Sequence, residues 1–124
     1  MQTEIDTLKR LNHENIVKLI QAQFNVEWIQ NGHVQSGDYI VTELMPNGEL
    51  YDFIDNVKGR MEEKFAKVAF KQILASIAYL HRKGMVSRDI KLENLLVSSD
   101  FKIKLADLGF AGNLEGINGD NLLE

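Results

Sequence analysis

The 124-residue chain contains no cysteine. Disulfides and thiolate metal sites are therefore excluded, and the composition suits an intracellular protein of the cytoplasm. Proline occurs once, at Pro46. No apolar run is long enough to span a membrane, and the first residues show no signal-peptide pattern. No stripe of Lys and Arg appears and the formal net charge is −4, which argues against nucleic acid as a partner. Internal repeats and low-complexity stretches are also missing. What is present, 44% hydrophobic residues in a length that holds one average domain, is a globular composition.

The most informative stretch is Ser87-Arg88-Asp89-Ile90-Lys91-Leu92-Glu93-Asn94-Leu95-Leu96. An aspartate, a lysine and an asparagine stand within six residues, and Asp107 follows Asp89 by eighteen positions. An Arg-Asp pair alone most often marks a loop salt bridge. The residues around it carry more. Leu95-Leu96-Val97 reads as a short buried strand and Ser98-Ser99-Asp100 as a tight turn. Phe101 to Leu105 alternates apolar and charged residues, as a half-buried strand does. Antiparallel pairing of the two strands brings Asn94, before the first, close to Asp107, after the second, so that both oxygens reach one cation.

This segment resembles the catalytic and metal-binding loops of eukaryotic protein kinases. The resemblance implies an enzyme that uses ATP and magnesium to phosphorylate a protein substrate. Asp89 would orient the substrate hydroxyl or take its proton, and Lys91 would neutralise the moving phosphoryl group. Asn94 and Asp107 would hold the metal. Lys91, two residues after the aspartate, follows the serine/threonine type. Three positions depart from the family pattern. Ser87 stands where His or Tyr is usual, Leu108 where Phe is usual, and Leu92 where proline is frequent. None of the three does chemistry, so the expected effect is on rigidity and regulation.

The rest of the chain extends the resemblance. Ile5, Leu8 and Leu11 share a helical face over residues 4–11, Asn12 to Asn15 break the helix, and Ile16 to Ile20 begin a strand. By residue type alone Glu4 is a solvent-facing helix residue; by resemblance it is the glutamate that pairs with a strand lysine at the nucleotide. Phe24–Trp28 and Tyr39–Thr42 read as a hairpin with a long connection rich in turn formers, long enough to include an added piece of strand, and Trp28 as a packing residue. Residues 42–50 resemble the connector between kinase lobes, with Pro46 and Gly48 as its turning points. The resemblance gives the backbone of Glu43 and Met45 to the adenine edge, makes Thr42 the guard of the nucleotide pocket, and adds Leu96 and Glu49 to the nucleotide contacts. Glu49 also reads as the acid at a helix N-terminus. Leu50 to Asn56 predicts a short helix, and Lys64 to Arg82 a long one. The long helix carries an apolar stripe of Phe65, Ala69, Ile73, Ile77 and Leu80, widened by Val68, Phe70 and Leu74, and Gly84 reads as its C′ residue. His81 reads as structural, and His13 and His33 suggest no metal site.

The expected fold is α+β, a partial protein-kinase-like domain over residues 1–124. Residues 1–42 would belong to the small lobe, 43–49 to the hinge and 50–124 to the large lobe. The 124 residues contain neither a glycine-rich loop ahead of Glu4, nor a Val-Ala-x-Lys strand, nor an Ala-Pro-Glu string. The chain alone is therefore expected to be marginally stable, oligomeric or partly molten, and inactive. The Asn47-Gly48-Glu49-Leu50-Tyr51 stretch leans toward calmodulin-dependent or AGC-like relatives. The alternative from another class is a non-catalytic, kinase-derived interaction fragment.

Overall fold

The structure, a computed structural model, describes residues 2–57, 60–87, 89–106 and 112–113. Contacts divide the chain into two units. The first takes residues up to Asn12 together with Lys18–Glu43; the second takes His13–Val17 and the described residues from Leu44 onward.

The first unit is a helix and a hairpin. Helix α1, Gln2–Arg10, buries Ile5, and Leu11 just beyond it is also buried. Its last turn leaves carbonyls without helical partners. The Lys18 Nζ donates to the carbonyls of Lys9 at 3.0 Å and Leu11 at 2.9 Å, so a lysine side chain caps this end. Strands β1, Leu19–Gln30, and β2, His33–Thr42, pair antiparallel from Leu19↔Thr42 to Gln30↔His33.

This hairpin is longer than the alternation of residues predicts. The run Ser36-Gly37-Asp38 reads as a turn but lies within β2, and the chain reverses at Asn31-Gly32 instead. Both turn residues have positive φ, 53° and 79°, as a two-residue type I′ turn requires. Each of the misleading residues has a local use. A bulge interrupts the register between Gln23 and Val26; Asn25 sits there at φ 54° and gives its N–H to Asp38 Oδ1 at 3.0 Å. Gly37 lies under the Trp28 ring, where a Cβ would come within 3.3 Å of the indole. Trp28 is thus a packing residue, although it is exposed at its outer face.

The second unit contains helices α2, Leu50–Asn56, and α3, Glu63–Arg82. Strand β3, Met85–Val86, pairs antiparallel with β6, Gly112–Asn113. Strand β4, Leu95–Val97, pairs antiparallel with β5, Ile103–Leu105. The predicted strand from Phe101 starts two residues late. Phe101 adopts φ 61° and completes the turn, with its N–H on the Ser98 carbonyl at 3.0 Å.

Ile16 and Val17, expected to begin the strand of residues 16–20, instead flank β5 together with Asn15, and β1 starts at Leu19. Leu105 donates to the Asn15 carbonyl and Val17 donates to the Leu105 carbonyl, both at 2.9 Å, with Ile16 and Leu105 forming a parallel bridge. Strand β5 therefore has backbone partners on both sides. Its side chains Ile103 and Leu105 are 2% and 1% exposed, at the centre of the core with Ile16, Leu80, Leu95 and Val97.

Helix α3 covers this core with one face. Ala69, Ser76 and Leu80 are buried, whereas Val68, Phe70 and Leu74 are exposed, so the buried stripe is narrower than the apolar pattern. Two polar residues stand in its place. Ser76 satisfies its hydroxyl on the Ile73 carbonyl at 2.6 Å. Gln72 Oε1 accepts from the Ile103 N–H at 2.9 Å and from Asn15 Nδ2 at 3.1 Å. The helix ends as read: Lys83 bonds back to Tyr79 and Leu80, and Gly84 at φ 73° bonds to the His81 carbonyl at 3.0 Å.

Candidate active site

The strand β4 begins where a tight loop ends, and that loop carries the charged residues. Residues Leu92–Asn94 form one turn of 3₁₀-helix, closed by the Asn94 N–H on the Lys91 carbonyl at 3.0 Å. The turn swings Asn94 inward, leaving it 8% exposed. A buried amide must find partners. Asn94 Nδ2 donates to the main-chain carbonyl of Asp89 at 2.9 Å and to its Oδ2 at 3.0 Å. Lys91 Nζ approaches the same Oδ2 at 3.5 Å. Lys91 and Asn94, two and five residues beyond Asp89, thus meet at its carboxylate.

The pair of bonds fixes which atoms point where. With Nδ2 committed to Asp89, the amide of Asn94 presents Oδ1 as its remaining polar atom. With Oδ2 committed to Asn94 and Lys91, Asp89 presents Oδ1. The Asp89 side chain is 30% exposed and that of Lys91 52% exposed, so both reach solvent. An ion pair this open contributes little to stability. Its use is to place a cation beside an oriented carboxylate.

The loop is also tied to β5. The Asn94 carbonyl accepts the Ala106 N–H at 2.8 Å. Ala106 directly precedes Asp107 in sequence. Asp107 and Leu108 lie outside the described residues, as does the side chain of Glu4. Among the described residues no group of three or more His, Asp or Glu could hold a metal ion. Of the two expected metal ligands, the described one fits magnesium in kind: the amide oxygen of Asn94 is a hard ligand.

A second group of predicted residues is assembled by backbone pairing. Residues 47–49 run beside β4. The Asn47 N–H donates to the Val97 carbonyl at 3.2 Å, and the Val97 N–H returns to the Gly48 carbonyl at 2.8 Å. Glu49 and Leu96 form an antiparallel bridge. Met45 closes the preceding turn by accepting the Gly48 N–H at 3.2 Å. Glu49 is also the N-cap residue of α2 in extended conformation, with no capping bond from its side chain. The helix-acid reading and the neighbour-of-Leu96 reading hold together. Thr42 and Glu43 belong to the first unit. Glu43 Oε1 accepts the Lys18 N–H at 3.0 Å while its own N–H donates to the Lys18 carbonyl at 3.0 Å. The Thr42 hydroxyl donates to the Glu43 carbonyl at 3.3 Å.

Two residues that organise the site were not singled out from the sequence, Asn15 and Gln72. Asn15 Nδ2 also reaches the Ile103 carbonyl at 2.9 Å, and its N–H donates to His13 Nδ1 at 3.0 Å. The signal was available at Gln72: it falls on the helical face of Ala69, Ile73, Ser76 and Leu80, where a polar side chain needs a reason.

Comparisons with known proteins bear on the family of the chain. The model of the family described as "Protein kinase domain" matches residues 1–120. Serine/threonine-protein kinase SIK1 of Mus musculus is 41% identical over 107 residues, and that of Rattus norvegicus 40%. Each alignment covers 86% of this chain and 12% of the relative. Maternal embryonic leucine zipper kinase of Xenopus laevis is 36% identical over 116 residues, which is 94% of this chain and 16% of the relative. The chain therefore spans a small part of the length of the curated relatives it matches.

Proposed function

The chain belongs to the protein kinase family, of the serine/threonine type, and from that premise we propose that it supplies the phosphoryl-transfer loop of an ATP-dependent protein serine/threonine kinase. The observation that carries the reading is the double bond from Asn94 to Asp89 with Lys91 on the same oxygen. ATP would bring the transferable phosphoryl group, and magnesium would offset the charge of its phosphates.

The chain's own residues then have separate tasks. Asp89 receives the substrate hydroxyl on the oxygen that Asn94 and Lys91 leave open, and holds its proton as the oxygen turns nucleophilic. Lys91 sets a positive charge beside that carboxylate, where negative charge arrives. Asn94 fixes the carboxylate in one orientation and offers Oδ1, with Asp107, to the metal. Leu96, bridged to Glu49, would form an apolar floor below the adenine. Met45 and Glu43 would meet the adenine edge through their backbones, Thr42 would guard the pocket, and Glu4 would orient a phosphate-binding lysine. Residues 43–49 would be the hinge between a small lobe of 1–42 and a large lobe from 50. The partners are ATP and a protein substrate, in the cytoplasm. None of the 124 residues supplies the Val-Ala-x-Lys lysine, so the chain taken alone is expected to turn over poorly.

The test is Asp89→Asn in the protein that contains this segment. The expected result is a fall in kcat of about 10²–10⁴-fold with nucleotide affinity unchanged. Unchanged turnover in the variant would remove Asp89 from the reaction.

A second reading, the non-catalytic interaction fragment, draws on the exposed apolar side chains of α3. Phe65, Val68, Phe70 and Leu74 are 36%, 54%, 60% and 48% exposed. A stable complex lost on Phe70→Glu, in a protein without kinase activity, would favour it.

A further inference from the structure

The dipeptide Asn-Gly occurs at 31–32, 47–48 and 118–119; the last lies outside the described residues. It can modify itself. The amide nitrogen of glycine attacks the Cγ of asparagine, the Cγ–Nδ2 bond breaks, and ammonia leaves with the proton. The cyclic imide that results is opened by water at either carbonyl, to aspartate or isoaspartate. The net change is hydrolysis of one side-chain amide, with water as the sole co-reactant. Glycine favours the closure because it has no Cβ to obstruct the ring. The reaction needs an asparagine side chain free to rotate and a glycine N–H that is not held elsewhere.

The two described pairs differ in both respects. Asn47 Nδ2 donates to the Ser98 carbonyl at 2.7 Å, and the Asn47 N–H donates to the Val97 carbonyl. The Gly48 N–H is bound to the Met45 carbonyl and its own carbonyl to the Val97 N–H. Every group that must turn is held. At the hairpin tip both residues are exposed. Among the described residues the Asn31 side chain has no hydrogen-bond partner, and nothing stands within 4 Å of where a Gly32 Cβ would point. The φ of 53° at Asn31 is the left-handed conformation of the type I′ tip.

We infer that Asn31 is a site of spontaneous deamidation, selected over Asn47 by the fold. The two products differ in effect. Aspartate leaves Asp-Gly, which suits the same turn and adds a negative charge. Isoaspartate inserts an extra backbone carbon, so a two-residue loop no longer closes the Gln30↔His33 pair. A slip of one residue there would turn Ile29 and Val34 to the opposite face.

The experiment is to incubate the purified chain at mildly alkaline pH, in native buffer and in concentrated urea. Peptide mapping by mass spectrometry then follows each Asn-Gly peptide separately, with isoaspartate distinguished by co-elution with synthetic peptides. In urea, Asn31 and Asn47 should convert at similar rates. In native buffer, Asn31 should keep its urea rate to within a few-fold, while Asn47 slows by about tenfold or more because its hydrogen bonds must open first. Asn31→Gln should abolish conversion at the tip alone. Equal rates at the two sites in native buffer, or Asn31 slowed as much as Asn47, would overturn the inference.

Discussion

The amide nitrogen of Asn94 lies 2.9 Å from the carbonyl oxygen and 3.0 Å from the carboxylate Oδ2 of Asp89, five residues earlier. One side chain thereby sets both the backbone of the loop and the direction of its acid. Removing it in Asn94→Ala leaves the Asp89 carbonyl and carboxylate without this partner and should cost about 1–3 kcal/mol of stability. Asn94→Asp keeps an oxygen for a metal but sets a second carboxylate against Asp89 Oδ2. Lys91 offsets only part of that repulsion across 3.5 Å of half-exposed space. Both variants should lose kinase turnover in the protein containing this segment. Relative to the parent chain, Asn94→Asp should be less destabilised at acid pH, where the repulsion is relieved, than at neutral pH. Urea midpoints at the two pH values read this directly.

Gln72 Oε1 takes two donors, Ile103 N–H and Asn15 Nδ2. Gln72→Ala would leave both without that acceptor beside the core strand β5, and is expected to cost about 2–3 kcal/mol. Gln72→Glu keeps the accepting oxygen and loses only the long 3.5 Å contact to the Val68 carbonyl. It should be the milder change. Equal urea midpoints for the two variants would show that the acceptor is not what matters at this position.

The difference between Gln72 and Asp89 explains what could be read in the sequence. Asp89, Lys91, Asn94 and the β4–β5 hairpin lie within one continuous stretch, so the strands and the turn between them could be read locally, while the roles of the three side chains came from the resemblance to protein kinases. Helices α2 and α3 were legible because their apolar residues recur at helical intervals, and Gly84 because a C′ residue needs positive φ. Asn15 and Gln72 are separated by 57 residues and act through a strand that neither adjoins in sequence. No local pattern encodes that meeting. The hairpin itself was legible, but its length and the place of its turn were not, for a related reason. Gly37 and Asp38 look like turn formers, but their roles depend on Trp28 and Asn25 in the opposite strand.

Phe101 ends the β4–β5 turn at φ 61° and is 60% exposed. The left-handed region costs an ordinary residue about 1–2 kcal/mol, and asparagine less. An exposed ring recovers little of this through burial. Phe101→Asn should therefore raise stability by about 0.5–1 kcal/mol, with the Phe101 N–H to Ser98 carbonyl bond retained. Phe101→Val should lower it, since a β-branched residue tolerates this conformation least. Thermal unfolding of the two variants beside the parent chain checks the order.

Asp100 sits in the same turn, and its carboxyl is held below the ordinary carboxylate value. The main cause is the hydrogen bond from the Ser98 hydroxyl, opposed by the effect of desolvation and helped in turn by its own N–H and by Lys102 and Lys104. A carboxylate whose folded pKa is depressed stabilises the fold above its unfolded value, and that contribution fades as pH falls through the folded value. The advantage of the parent chain over Asp100→Asn should thus be constant above about pH 5 and shrink below the ordinary value of 3.8. Because the first cause is a hydrogen bond, not a distant charge, added salt should leave most of the depression in place. Ser98→Ala should bring the Asp100 titration back toward the ordinary range. An NMR titration of the Asp100 carboxyl in the parent and in Ser98→Ala measures both effects. An unchanged midpoint in Ser98→Ala would assign the depression to the Asp100 N–H and the lysines, and the part that salt removes would be that of the lysines.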